Sequence, residues 1–173
     1  MAVILTSLAG VIALPLPAFA QGSAAIEAET GNITSPFILT NGYVFQPWGT
    51  NLAHGGGAKY DITISQAGRY AILAFVSSPD HASSLAVNID AEPTAPTMIW
   101  DIPASQEFAN RIVSWRGDGT STNAAPCRKV FNLSLGPHQI IIRGGADGGA
   151  RLDRFSIVRI PAPPGGLRVV ATP

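Results

Sequence analysis

The chain has 173 residues, with 11 Lys and Arg against 11 Asp and Glu, no net charge and only 13% charged residues. Nucleic acid and acidic membrane surfaces are therefore excluded as expected partners, because both demand a concentrated cationic face. The hydrophobic content of 46% is inflated by the first segment of the chain.

Residues 1–20 carry no charged side chain, residues 3–16 form an apolar run, and Ala18-Phe19-Ala20 before Gln21 is a small-x-small cleavage site, the pattern of a secretory signal. A membrane anchor is the alternative, but Pro15 and Pro17 interrupt the run before it reaches the roughly 20 residues that span a bilayer. No Lys or Arg precedes the run, which departs from the usual signal. Secretion, to the extracellular space or periplasm, is expected, with no membrane contact after cleavage. Residues 21–160 then form one domain, long enough to bury roughly two-thirds of its unfolded surface. Cys127 is the single cysteine, so the exported chain folds without an internal disulfide.

The 18 glycines and 14 prolines punctuate the chain, and no segment holds a helical period. Residues 24–29 read as a first strand and 43–45 as a marginal one. Ala58, Tyr60, Ile62 and Ile64 alternate with Lys59, Asp61 and Thr63, the period of a half-buried strand. Gln66-Ala67-Gly68 then turns into the apolar run 69–76, which reads as a hairpin. Leu85, Val87 and Ile89 alternate next, and shorter candidates lie at 98–102, 112–115, 130–135 and 138–143, before a closing strand at 152–160. Many short strands separated by Gly and Pro predict an all-β, antiparallel sandwich. Residues 161–173 are a Pro/Gly-rich linker or the start of a truncated following domain.

Catalytic signatures are thin. His54-Gly55-Gly56-Gly57 looks like an esterase oxyanion loop, but no G-x-S-x-G accompanies it, so a flexible loop is the better reading. The three histidines and Cys127 form no zinc-ligand spacing. No enzyme is expected. Gly144-Gly145-Ala146-Asp147-Gly148-Gly149 reads as a tight connection between the last two strands, whose flanking side chains, Asp147 among them, can reach a ligand.

Glu27 and Glu29 share one face of the first strand by parity, and Asp153 has the parity of Phe155 and Ile157 on the last. A carboxylate on a core-facing row needs a partner or an ion. If the two strands are neighbours, the three acids converge as oxygen ligands of the kind calcium takes. The alternative is surface ion pairing with Arg151 or Arg154.

Tyr43, Trp48, Trp100 and Trp115 lie in or beside loops and short strands. A flat aromatic face suits the apolar C–H face of a sugar, whose hydroxyls need directional polar partners. Trp48, in Gln46-Pro47-Trp48-Gly49-Thr50-Asn51, is the best platform candidate.

Several segments together resemble the β-sandwich carbohydrate-binding modules of families 6 and 35, over residues 24–159. They are Ile26-Glu27-Ala28-Glu29, Tyr60-Asp61-Ile62-Thr63-Ile64-Ser65-Gln66-Ala67-Gly68-Arg69-Tyr70, Val87-Asn88-Ile89-Asp90, Phe131-Asn132-Leu133-Ser134-Leu135-Gly136-Pro137-His138-Gln139-Ile140-Ile141-Ile142-Arg143 and Gly149-Ala150-Arg151-Leu152-Asp153-Arg154-Phe155-Ser156-Ile157. The resemblance implies a jelly-roll-like sandwich with a structural calcium on Glu27, Glu29 and Asp153. It also implies a glycan held by Tyr43 or Trp48 with Trp115, and by a polar residue before the last strand. That residue is often asparagine in these families and is Arg151 here, a change suited to an acidic sugar through a bidentate carboxylate contact. The expectation is a secreted carbohydrate-binding module, with Tyr43, Trp48, Trp115, Asp147 and Arg151 as ligand contacts. The alternative is a structural or adhesion sandwich within a larger extracellular protein, with neighbouring domains as partners.

Overall fold

In the computed structural model, residues 24–47, 56–116, 126–145 and 148–161 are described. The expected signal segment, Trp48, Asp147 and the tail from residue 162 lie outside them. The described strands are β1 (Ile26–Glu27), β2 (Asn32–Thr34), β3 (Ile38–Thr40), β4 (Tyr43–Phe45), β5 (Gly57–Ile64), β6 (Gly68–Ser78) and β7 (Ser83–Ile89). They continue as β8 (Ile99–Ile102), β9 (Ser105–Ile112), β10 (Ser114–Arg116), β11 (Pro126–Arg128), β12 (Phe131–Leu133), β13 (Gly136–Gly144) and β14 (Arg151–Ile160). A seven-stranded sheet runs β12-β6-β14-β4-β3, with β1 added to β14 and β9 to β6, and a five-stranded sheet runs β2-β5-β13-β7-β8. Strands β10 and β11 form a separate two-stranded ribbon. All pairings are antiparallel, and the sandwich of jelly-roll type is the expected fold.

The core lies between the two large sheets. Tyr60, Val87, Ile140 and Ile142 enter it from the five-stranded sheet, and Val44, Ile72, Ala74, Val76, Leu152, Phe155 and Ile157 from the seven-stranded one. Each large apolar side chain taken from water in this way contributes about 1.5–3 kcal/mol. Tyr60 and Phe155 join the layers edge to face, their ring centroids 4.8 Å apart.

The structure departs from the sequence reading in three places that matter. Strands β5 and β6 form no hairpin. They belong to different sheets, and the turn between them crosses the sandwich edge, closed by the Tyr70 hydroxyl donating to the Gln66 carbonyl. The first strand stops at Glu27, because Ala28–Thr30 form a 3-10 turn. Ala28 is fully buried and its carbonyl accepts the Tyr60 hydroxyl at 2.8 Å, which draws the backbone inward. Glu27 and Glu29 therefore do not share a strand face, and both are exposed. On β14 a register shift falls between Leu152 and Arg154. Asp153 is the extra residue of this bulge, so the parity that aligned it with Phe155 is broken. Leu152 is the buried member instead.

Candidate functional site

Strands β3 and β4 are a hairpin joined by Asn41-Gly42, whose φ angles of 49° and 80° are those of a type I′ turn. Thr40 pairs Tyr43 and Ile38 pairs Phe45. Because Val44 points into the core, Tyr43 and Phe45 on either side of it point outward. Arg151 opens β14 and is the cross-strand partner of both Phe45 on β4 and Ser77 on β6, so its side chain shares that outer face.

The Arg151 guanidinium lies 5.4 Å from the Tyr43 ring centroid and 5.9 Å from that of Phe45. It forms no ion pair with any described carboxylate. Its Nε is buried and has no hydrogen-bond partner among the described residues, and the same holds for the Ser77 hydroxyl. Tyr43 in turn meets Phe108 of β9 at 5.7 Å, and Phe108 stacks on Phe75 of β6 at 5.4 Å with the planes 29° apart. Arg154 sits over Phe75 at 4.3 Å. None of these four aromatic residues belongs to the core cluster, and each is half-buried. Tyr43, Phe108 and Phe75 make a continuous aromatic row on the outer face of the seven-stranded sheet, flanked by two guanidinium groups, with Phe45 joined to it through Arg151.

The other expected contacts fall elsewhere. Trp115 of β10 donates its indole N–H to the Val87 carbonyl at 2.9 Å and packs edge to face on Phe131 at 6.1 Å. The Lys129 ammonium covers its ring at 3.7 Å, and burial holds that ammonium below its ordinary pKa. These contacts close the sandwich near β7 and β12 and do not bring Trp115 to Tyr43. Trp100, 2% exposed, is core.

The acids proposed for an ion are partly brought together. Strand β1 does pair with β14, with Glu27 opposite Arg154. Asp153 is held by the Arg154 guanidinium, which is the ion-pair alternative. Among the described residues, no three Asp, Glu, His or Cys side chains gather into a group suited to a metal ion. The donor set in this arrangement does not fit calcium without a shift of Asp153 away from Arg154.

Sequence reasoning missed Phe45, Phe75 and Phe108. The Asn41-Gly42 pair between two apolar triplets was the available signal for Phe45, since it announces a hairpin and sets its faces. Phe75 is masked by the continuous apolar run 69–76, and Phe108 by the polar residues around it.

Neither a family model nor a curated protein matches the sequence. Among solved structures, the chain is similar to the Man5C mannan-binding module in its bound conformation, with TM-score 0.55 and 15% identity over 80% of this chain and 100% of that one. It is similar to a β-(1,4)-mannanase of Podospora anserina, described as GH26-CBM35, with TM-score 0.58 and 16% identity over 83% of this chain. An exo-β-1,3-galactanase of Phanerochaete chrysosporium matches with TM-score 0.52 and 20% identity over 80% of this chain. This chain spans 29% of the mannanase and 29% of the galactanase. The β-sandwich of this chain is thus the fold of carbohydrate-binding modules.

Proposed function

We propose that the chain is a secreted, non-catalytic module that binds an oligo- or polysaccharide on the outer face of its seven-stranded sheet. One observation carries the reading: Tyr43, Phe45, Phe75 and Phe108 stand outside the core, with Tyr43 and Phe45 against Arg151, a guanidinium without a described carboxylate partner, and Phe75 against Arg154. Solvent-facing aromatics cost free energy in a monomer unless something covers them, and a pyranose presents the apolar face and polar edge that such a row complements. Two of the structures sharing the fold are named for mannan and galactan, which supports a glycan over other ligands. A glycan array followed by calorimetry on the mature chain tests the reading. Binding that is lost in Tyr43→Ala with the melting curve unchanged supports it; no binding to any plant, algal or microbial polysaccharide refutes it.

A structural role with protein partners draws on a different observation. Strand β3 ends its sheet, and Ile38 and Leu39 on it are 47% and 54% exposed. An uncovered apolar edge strand can accept a strand from another chain. Replacing Leu39 by Lys abolishes partner capture under that reading and leaves sugar binding intact under the first. Calcium enters as a separate proposal, supported by the neighbouring of β1 and β14 and by the resemblance in their acids.

A further inference from the structure

Arg151 and Arg154 are three residues apart, a spacing that puts side chains on opposite faces of a regular strand. The bulge at Asp153 cancels one residue: Arg151 is opposite Ser77 and Arg154 opposite Phe75 on β6. Both guanidinium groups consequently reach the outer face, at backbone positions about 7 Å apart along the strand. They lean away from one another. Arg151 lies against Tyr43 and Phe45 on the β4 side, and Arg154 against Phe75 on the β6 side. One carboxylate does not serve both, whereas the aromatic row Tyr43, Phe108 and Phe75 runs unbroken between them.

We infer that this face takes the interior of an extended anionic polysaccharide, with acidic groups on separate sugar residues meeting Arg151 and Arg154 while the rings between them lie on the aromatic row. The inference rests on the carbohydrate reading above and specifies its substrate class. Arg151 supplies the stronger contact, because its charge has no described partner and its Nε is already stripped of water. Arg154 is shared with Asp153, but both side chains of that pair reach solvent, at 43% and 24% exposure, so its loss to a ligand costs little. A guanidinium offers a planar pair of N–H donors to either a carboxylate or a sulfate ester. The shared chemistry is an oxyanion borne by a sugar.

The test is calorimetry of the mature chain against polygalacturonate, a sulfated galactan and neutral mannan of matched length, with trigalacturonate and galacturonic acid as short probes. The inference expects binding of polygalacturonate, roughly tenfold weaker in Arg151→Gln, weaker again in Arg151→Gln/Arg154→Gln, and falling as salt is raised. The trimer binds at least tenfold more tightly than the monomer. Binding of polygalacturonate alone identifies the carboxylate as the recognised group, and equal binding of the sulfated galactan identifies either oxyanion. Neutral mannan binding as tightly as the polyuronate, with Arg151→Gln unaffected, overturns the inference and leaves the carbohydrate reading standing. A monomer as tight as the trimer overturns the extended site. No binding of any of the three polymers by folded chain overturns the inference, and the carbohydrate reading falls with it only when the glycan array is silent as well. Arg151→Lys, which keeps the charge but loses the planar pair of donors, is expected to bind polygalacturonate more weakly than the native chain with the melting curve unchanged; native affinity in Arg151→Lys overturns the paired contact.

Discussion

Tyr43 and Phe108 belong to strands separated by two others in the sheet, yet their rings meet at 5.7 Å. The contact spans β14 and β6, the strands on which Arg151 and Ser77 are cross-strand partners. Phe108 packs on Tyr43 and Phe75 and on nothing in the core. Phe108→Ala is therefore expected to weaken glycan binding roughly tenfold or more while lowering the melting temperature only slightly. Calorimetry paired with thermal melts checks both halves.

The bend after β1 depends on Tyr60. Its hydroxyl donates to the Ala28 carbonyl, and burial, with Glu29 nearby, raises its pKa, so it stays a neutral donor. Tyr60→Phe leaves that buried carbonyl with only the long bond from the Gly31 N–H, at 3.5 Å, and is expected to cost about 1 kcal/mol, or roughly 2–4 °C in melting temperature. The same ring explains Gly31: a Cβ there would stand 2.4 Å from it, and Gly31→Ala is expected to destabilise by about 1–3 kcal/mol through overpacking.

A second device is sensitive to pH. His138 Nδ1 meets an Asp90 carboxylate oxygen at 2.6 Å, and the other oxygen accepts the Gln139 N–H at 2.9 Å. The Asp90 hydrogen bond raises the His138 pKa, aided by the Ser134 carbonyl and opposed by burial. For Asp90, burial acts upward, but the bonds from His138 and Gln139 outweigh it and hold the pKa below the ordinary value. The histidine contribution is thus fully present below about pH 6.5 and is lost as pH rises through its raised value. The aspartate contribution is present above about pH 4 and is lost on acidification through its lowered value. Melting temperature against pH should fall on the alkaline side of the histidine titration in the native chain, and His138→Gln should flatten that decline.

Glu92 is held down to about 2 by the hydrogen bond from Arg143, against burial and with help from Lys59. These bonds tie the turn after β7 to strands β13 and β5. Glu92→Gln is expected to cost less than about 1 kcal/mol, because the carboxylate is half exposed. Its stabilising part is present above about pH 4.5 and disappears only as pH falls through about 2.

If a calcium ion does bind Glu27, Glu29 and Asp153, it does so only after Asp153 leaves Arg154. Added calcium then raises the melting temperature by mass action and chelator lowers it. Unchanged melting in both conditions, with no metal retained by mass spectrometry of the intact chain, refutes the calcium proposal. Neither outcome bears on the aromatic row.

The sandwich is legible because alternation on β5 and the apolar run on β6 report burial directly, whereas the alternation on β7 marks a strand but not its burial, which covers every residue from Ser83 to Ile89. Strand β9 is not legible, since on it only Phe108, Ala109 and Ile112 depart from polar character and its pattern follows neither period. The bulge at Asp153 was also hidden: one extra residue reverses every parity argument before it, and no residue type announces it. The family resemblance puts Arg151 and Tyr43 in one glycan site, but nothing in the spacing of the residues makes them neighbours. Their adjacency comes from the pairing of β4 with β14, a long-range register that local pattern does not encode.

The central claim is that sugar lies on the sheet face that carries Tyr43 and Arg151. Chemical-shift mapping of labelled chain during titration with a bound polysaccharide tests it most directly. The account predicts shifts grouped at residues 43–45, 75–77, 106–110 and 151–154, with the Trp115 indole N–H unmoved. Shifts centred on Trp115 or on the β3 edge, with those four segments unchanged, would contradict it.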